Sequence, residues 1–88
     1  MNNEALRQLS LYHYEACPYC QRVRHELKRM NREVELRDIH RDRGRREELL
    51  EGGGMTQVPC LRIEKDGGKV EWMYESMDII AYLRQNST

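Results

Sequence analysis

The hydrophobic period changes twice within residues 9–39, and this narrows the possible folds of the chain more than any other feature. "LSLYHY" at 9–14 alternates and carries Leu and Tyr, the pattern of a half-buried strand. From Pro18 the apolar positions are Cys20, Val23, Leu27 and Met30, spaced three, four and three residues apart, with Arg22, Arg24, Lys28 and Arg29 turned elsewhere. That spacing is one face of an amphipathic helix, and Pro18 suits its first turn, where a missing N–H costs little. "EVELRDI" at 33–39 returns to alternation. A strand, a helix and a strand in close succession imply two parallel strands joined by a right-handed crossover, the hand seen in roughly 98% of such units.

The rest of the chain extends this unit. "RGRREELLE" at 43–51 reads as a short helix ended by the glycines at 52–54, since Gly tolerates the left-handed cap conformation. "VPCLRIE" at 58–64 is a third strand and "VEWMY" at 70–74 a fourth, joined through "KDGGK" with Asp-Gly at its centre. Ser76 is expected as the N-cap of a last helix, "MDIIAYLRQ", with Ile79, Ile80 and Leu83 inward. The predicted order is β-α-β-α-β-β-α: an α/β four-stranded mixed sheet with helices on both faces. One domain is expected over residues 1–88, with its ordered core at about 9–85 and loose ends.

Lys plus Arg and Asp plus Glu are both 15, which disfavours a general nucleic-acid binder. No apolar run approaches the roughly 18 residues that span a bilayer, so no membrane role is expected. The start, "MNNEALRQLS", lacks the apolar region of a secretory signal, and a cytoplasmic location is expected. The cysteines number three, an odd count for a disulfide scaffold.

Two of the cysteines, Cys17 and Cys20, stand as C-x-x-C at the strand-to-helix junction. A thiol there meets unsatisfied N–H groups and the positive end of the helix dipole, which favour the nucleophilic thiolate. Cys20 lies about one turn further on, shielded, so Cys17 reads as the attacking thiol and Cys20 as the resolving one. A zinc clip would need four ligands, usually from two such pairs. Only one pair exists, and His13, His25, His40 and Cys60 have no matching spacing, so no metal is expected. Pro59 cannot donate to a ladder and belongs at a strand start or edge. It reads either as an ordinary edge proline or as a cis turn that sets the Val58 backbone beside the thiols. Cys60 reads as a buried small hydrophobe, His13 and His25 as surface or helix-face residues, and Trp72 as packed on the sheet.

With "CPYC" at 17–20, "QVP" at 57–59 and "YESMDIIAYL" at 74–83, the chain resembles a dithiol glutaredoxin of the thioredoxin superfamily over about Leu9 to Leu83. The last of these stretches also resembles the glutathione-binding domain of glutathione transferases. The resemblance implies a thioredoxin-like fold, a cis peptide before Pro59, and glutathione-dependent reduction of protein disulfides and glutathione mixed disulfides by Cys17 and Cys20. Glutathione is then the co-substrate and disulfide-containing or glutathionylated proteins are the partners of a monomeric protein. By the same resemblance the Val58 backbone pairs with the cysteinyl part of glutathione. Ser76 and Met77, at the start of the last helix, hold the γ-glutamyl carboxylate, while Glu75 or Asp78 takes its ammonium. Tyr19 covers the tripeptide, Gln57 reaches toward it, and Arg46 meets the glycyl carboxylate, with Arg43 in reserve. The family's lysine three residues before the first cysteine is here Tyr14, followed by Glu15, a charge expected to weaken an anionic ligand. Two alternatives share the fold. One is an iron–sulfur-binding module, against which "CPYC" argues; the other is a glutathione-transferase-like domain.

Overall fold

The computed structural model describes residues 8–86; the expectation of loose ends lies largely outside them. Strand β1 (Gln8–His13) leads to helix α1 (Pro18–Arg29), strand β2 (Glu35–Asp38) and helix α2 (Arg43–Gly53). Strand β3 (Cys60–Glu64), a short 3₁₀ turn at 66–68, strand β4 (Val70–Met73) and helix α3 (Ser76–Gln85) follow. The strands lie in the order β2-β1-β3-β4, with β1 parallel to β2 and the other two pairs antiparallel. The mixed sheet and the element order are those the periodicity predicts.

Alternation along β1 divides the core. Leu11 joins Val23 and Leu27 of α1 and Ile79, Ile80 and Leu83 of α3 on one face, over Leu61 and Ile63 of β3. Tyr12 points to the other face, where Ile39, Leu49 of α2 and Cys60 enclose it. On the first face the nearly buried Glu26 carboxylate of α1 accepts from Arg84 Nε of α3 at 2.9 Å and from Arg29 at 3.3 Å. On the second, the Tyr12 hydroxyl donates to Glu48 at 3.0 Å and accepts from Arg37 at 2.8 Å. Arg37 also pairs with Glu35 at 3.1 Å, so one guanidinium ties β1, β2 and α2 together.

The glycines at 52–54 do more than end a helix. Gly52 and Gly53 are helical, and only Gly54, at φ +93°, is the left-handed cap. A Cβ on Gly52 would collide with the Trp72 ring, and one on Gly53 with the Tyr74 hydroxyl. These two glycines let the end of α2 lie close against β4 and the residue that follows it.

The register fixes where the connections emerge. Tyr12 at the end of β1 faces Cys60 at the start of β3, and Met73 at the end of β4 faces Leu61. The C-terminal ends of β1, β2 and β4 therefore gather with the start of β3 at one end of the sheet. All three helices begin there.

Candidate active site

At that end, Cys17 is the N-cap of α1, in extended conformation with φ −74° and ψ 116°. Its Sγ accepts the Cys20 N–H at 3.2 Å, and its own N–H donates to the Tyr14 carbonyl at 3.2 Å. Pro18 takes a first-turn position, and no acidic residue stands in that turn to oppose a thiolate. All three cysteines are free thiols. Cys17 is 3% exposed and Cys20 is fully buried. Burial, then the Cys17 thiol beside it, pushes Cys20 up to about 12, so its proton is held until a partner draws it off.

The start of β3 supplies the opposite wall. The Val58–Pro59 peptide is cis, and Pro59 is buried. Extending the register from Tyr12 opposite Cys60 sets Pro59 beside the end of β1, where the chain turns toward Cys17. Val58 and Tyr14 pack on the same cluster of Tyr12, Ile39, Leu49 and Cys60. The Tyr74 hydroxyl donates to the Met55 carbonyl at 3.0 Å and pins the loop that leads to Gln57, which is exposed. Cys60 is fully buried and pushed up to about 12 by that burial, as a small core hydrophobe should be.

The start of α3 corrects one expectation. Glu75, not Ser76, occupies the cap position, and its carbonyl accepts the Ile79 N–H at 2.9 Å. The chain leaves β4 at Met73 and stays extended through Glu75, so the helix begins one residue earlier than a Ser cap would set it. The Glu75 side chain makes no cap bond to the first turn, whose N–H groups are the unsatisfied donors of a helix start. Ser76 is 9% exposed, while Glu75, Met77 and Asp78 are open to solvent. Tyr19 is exposed on the first turn of α1. Arg46 lies one turn into α2, in a shallow hollow with Ile39, His40, Arg43 and Glu47.

The structure also places residues that the sequence leaves unassigned or assigns otherwise. Glu15 pairs with Arg24 at 3.3 Å, so the carboxylate that replaces the expected cationic neighbourhood is itself partnered. Tyr14 stacks on His40 with ring centroids 4.0 Å apart. His13, expected at the surface or on a helix face, lies in β1 and is 2% exposed, because alternation sets it on the α1 side of β1 with Leu9 and Leu11. Burial, helped by the Arg24 charge and opposed by Asp38 and Glu15, holds its imidazole below the ordinary histidine range. No local spacing marks these contacts, since each joins separate elements.

The profile of the glutathione S-transferase N-terminal domain family matches residues 11–88. No curated protein matches the chain by sequence. Among solved structures, a thioredoxin-like protein is 26% identical at a TM-score of 0.69, with 92% of this chain and 100% of that chain covered. Maleylacetoacetate isomerase from Anaeromyxobacter dehalogenans 2CP-1, solved with bound GSH in its active site, is 27% identical at a TM-score of 0.69. That match covers 90% of this chain but 37% of the isomerase, so the chain spans little more than a third of that enzyme's length. A glutaredoxin from Brucella melitensis, 22% identical at a TM-score of 0.56 over 89% of this chain and 78% of that one, shares the fold. The fold is thioredoxin-like.

Proposed function

Because this chain belongs to the glutathione S-transferase N-terminal domain family, we propose that it handles glutathione as a thiol–disulfide oxidoreductase of the dithiol glutaredoxin kind. The observation that carries this reading is the Cys17 Sγ at the head of α1, receiving a backbone N–H from a Cys20 that is fully buried behind it.

The Cys17 thiolate attacks the glutathione sulfur of a mixed disulfide. A Cys17–glutathione disulfide forms, and the substrate sulfur leaves as a thiolate that takes up a proton. A second glutathione thiolate attacks the glutathione sulfur of that disulfide, releases oxidised glutathione and restores Cys17. With a protein disulfide, Cys17 attacks first, forming a mixed disulfide and releasing one protein sulfur as a thiolate that takes up a proton. Cys20 then gives up its proton, attacks the Cys17 sulfur and expels the second protein sulfur, which takes a proton. Two glutathiones reduce the resulting Cys17–Cys20 disulfide to the dithiol and leave as oxidised glutathione. The backbone of Val58 offers an edge for the tripeptide, and the uncapped start of α3 at Ser76 and Met77 suits its γ-glutamyl carboxylate. Glu75 or Asp78 would meet the ammonium, Tyr19 and Gln57 would flank the ligand, and Arg46 would face the glycyl carboxylate.

The family match also favours a second reading, a transferase-type domain that binds glutathione and uses its thiol on a non-disulfide substrate. One experiment separates the two: glutathione-dependent reduction of a small mixed disulfide, coupled to glutathione reductase. The oxidoreductase reading expects an active parent, an inactive Cys17→Ser and a Cys20→Ser that keeps much of the rate. An inactive parent that still binds glutathione favours the transferase-type reading.

A further inference from the structure

Parallel pairing of β1 and β2 puts His13 opposite Asp38 at the C-terminal ends of both strands. Glu15 follows two residues on, before the turn into α1. One ring nitrogen of His13 and one carboxylate oxygen each of Glu15 and Asp38 lie within 4.8 Å of one another. We infer that these three side chains form a binding site for a divalent cation of the zinc type.

Two independent observations meet here. The first is the cluster itself, two carboxylates and an imidazole drawn from a strand end, its neighbour and the following loop. The second is that His13 is 98% buried, from its 2% exposure, yet its Nδ1 has no hydrogen-bond partner among the described residues. Buried imidazole nitrogens are normally satisfied, so a buried ring with an orphaned nitrogen, set beside two carboxylates, has bonding capacity that a ligand would use.

The donor set is one nitrogen and two oxygens, which suits zinc and similar borderline ions better than a hard oxygen-only cation. Two carboxylate charges balance a divalent ion, with a neutral imidazole as the third donor. Zinc takes such donors at about 2.0–2.2 Å, so donor atoms around it stand roughly 3.4 Å apart in a tetrahedron. A separation within 4.8 Å needs only a small contraction, and the exposed Glu15 side chain can supply it. Asp38 uses Oδ1 to hold the N–H groups of His40 and Arg41 at 2.8 and 3.0 Å, which leaves Oδ2 uncommitted among the described residues. Arg24 competes for Glu15, because the cation must draw that carboxylate from the guanidinium 3.3 Å away. Two of the three donors flank Tyr14, whose carbonyl receives the Cys17 N–H, so an ion here would stiffen the turn that presents the thiol.

The test is a zinc titration by calorimetry on the tag-free full chain carrying Cys17→Ser and Cys20→Ser. Those changes remove thiolate binding, and serine retains N-capping ability. The expected result is saturable binding of one zinc per chain, with the His13 ring resonances shifting in step. Glu15→Gln and Asp38→Asn in that background should each weaken binding by roughly tenfold or more, since even groups behind the ligands cost that much. Asn at 38 keeps an oxygen for the turn and Glu15 is exposed, so both variants should fold. Arg24→Gln should tighten binding roughly two- to fivefold, the scale of an exposed ion pair. Absence of saturable binding overturns the site. So does zinc that both carboxylate variants leave within twofold, which would place it on other histidines.

Discussion

Cys20 and Cys60 show burial acting on single thiols. Each is held up to about 12 from an ordinary value of 9.0, chiefly by loss of solvent. The sign for stability follows from linkage. A thiol raised in the folded state keeps its proton there, while the unfolded chain releases it, so stability is whole below about pH 9 and falls as pH climbs toward about 12. Tyr12 and Tyr74, also raised by burial, act in the same direction. Urea midpoints measured across this range should decline, and Cys60→Ala should lower the neutral midpoint while flattening the alkaline slope. Iodoacetamide near neutral pH should leave Cys20 and Cys60 unlabelled in the reduced folded protein and label both in denaturant, as read by mass spectrometry. The placement of Cys17 and Cys20 was legible because it is local: two thiols one turn apart at a strand-to-helix junction. His13 was misplaced because a polar residue at a strand end gives no sign that it is buried.

For the elements, the end of α2 is the instructive case. The glycine run announced a helix stop, and Gly54 fulfils it at φ +93°. Nothing in the run told that Gly52 and Gly53 serve close packing, because Trp72 and Tyr74 lie some twenty residues further along the chain. Gly53→Ala should therefore destabilise by about 1–3 kcal/mol through overpacking against the Tyr74 hydroxyl. Gly54→Asn should cost less, since Asn tolerates the left-handed region and the space there is open. Urea unfolding of the two variants checks the order. The start of α3 has the same lesson. A serine before an apolar helix is a fair cap signal, but the extended exit from β4 decided the cap by backbone geometry.

The arrangement of the whole molecule was legible because period and order leave few topologies, whereas the cross-element ties were not. Arg37 illustrates such a tie: a half-polar strand residue in sequence, it bonds Tyr12, Glu35 and Glu48 in the structure. Arg37→Met should cost about 1–3 kcal/mol by removing the charge-assisted bonds to the Tyr12 oxygen, Glu35 and Glu48, while the Tyr12 hydroxyl keeps its bond to Glu48, measured by urea unfolding at low and high salt. All three helices begin at one end of the sheet, and the β3–β4 turn lies at the other, closed by the Lys65 N–H on the Lys69 carbonyl at 2.8 Å. Gly67 and Gly68 there have positive φ and open space around them. The candidate site and the β3–β4 turn thus stand at opposite poles of the sheet. A fluorescent reporter or affinity handle spliced between those two glycines would ride on the protein without reaching its chemistry.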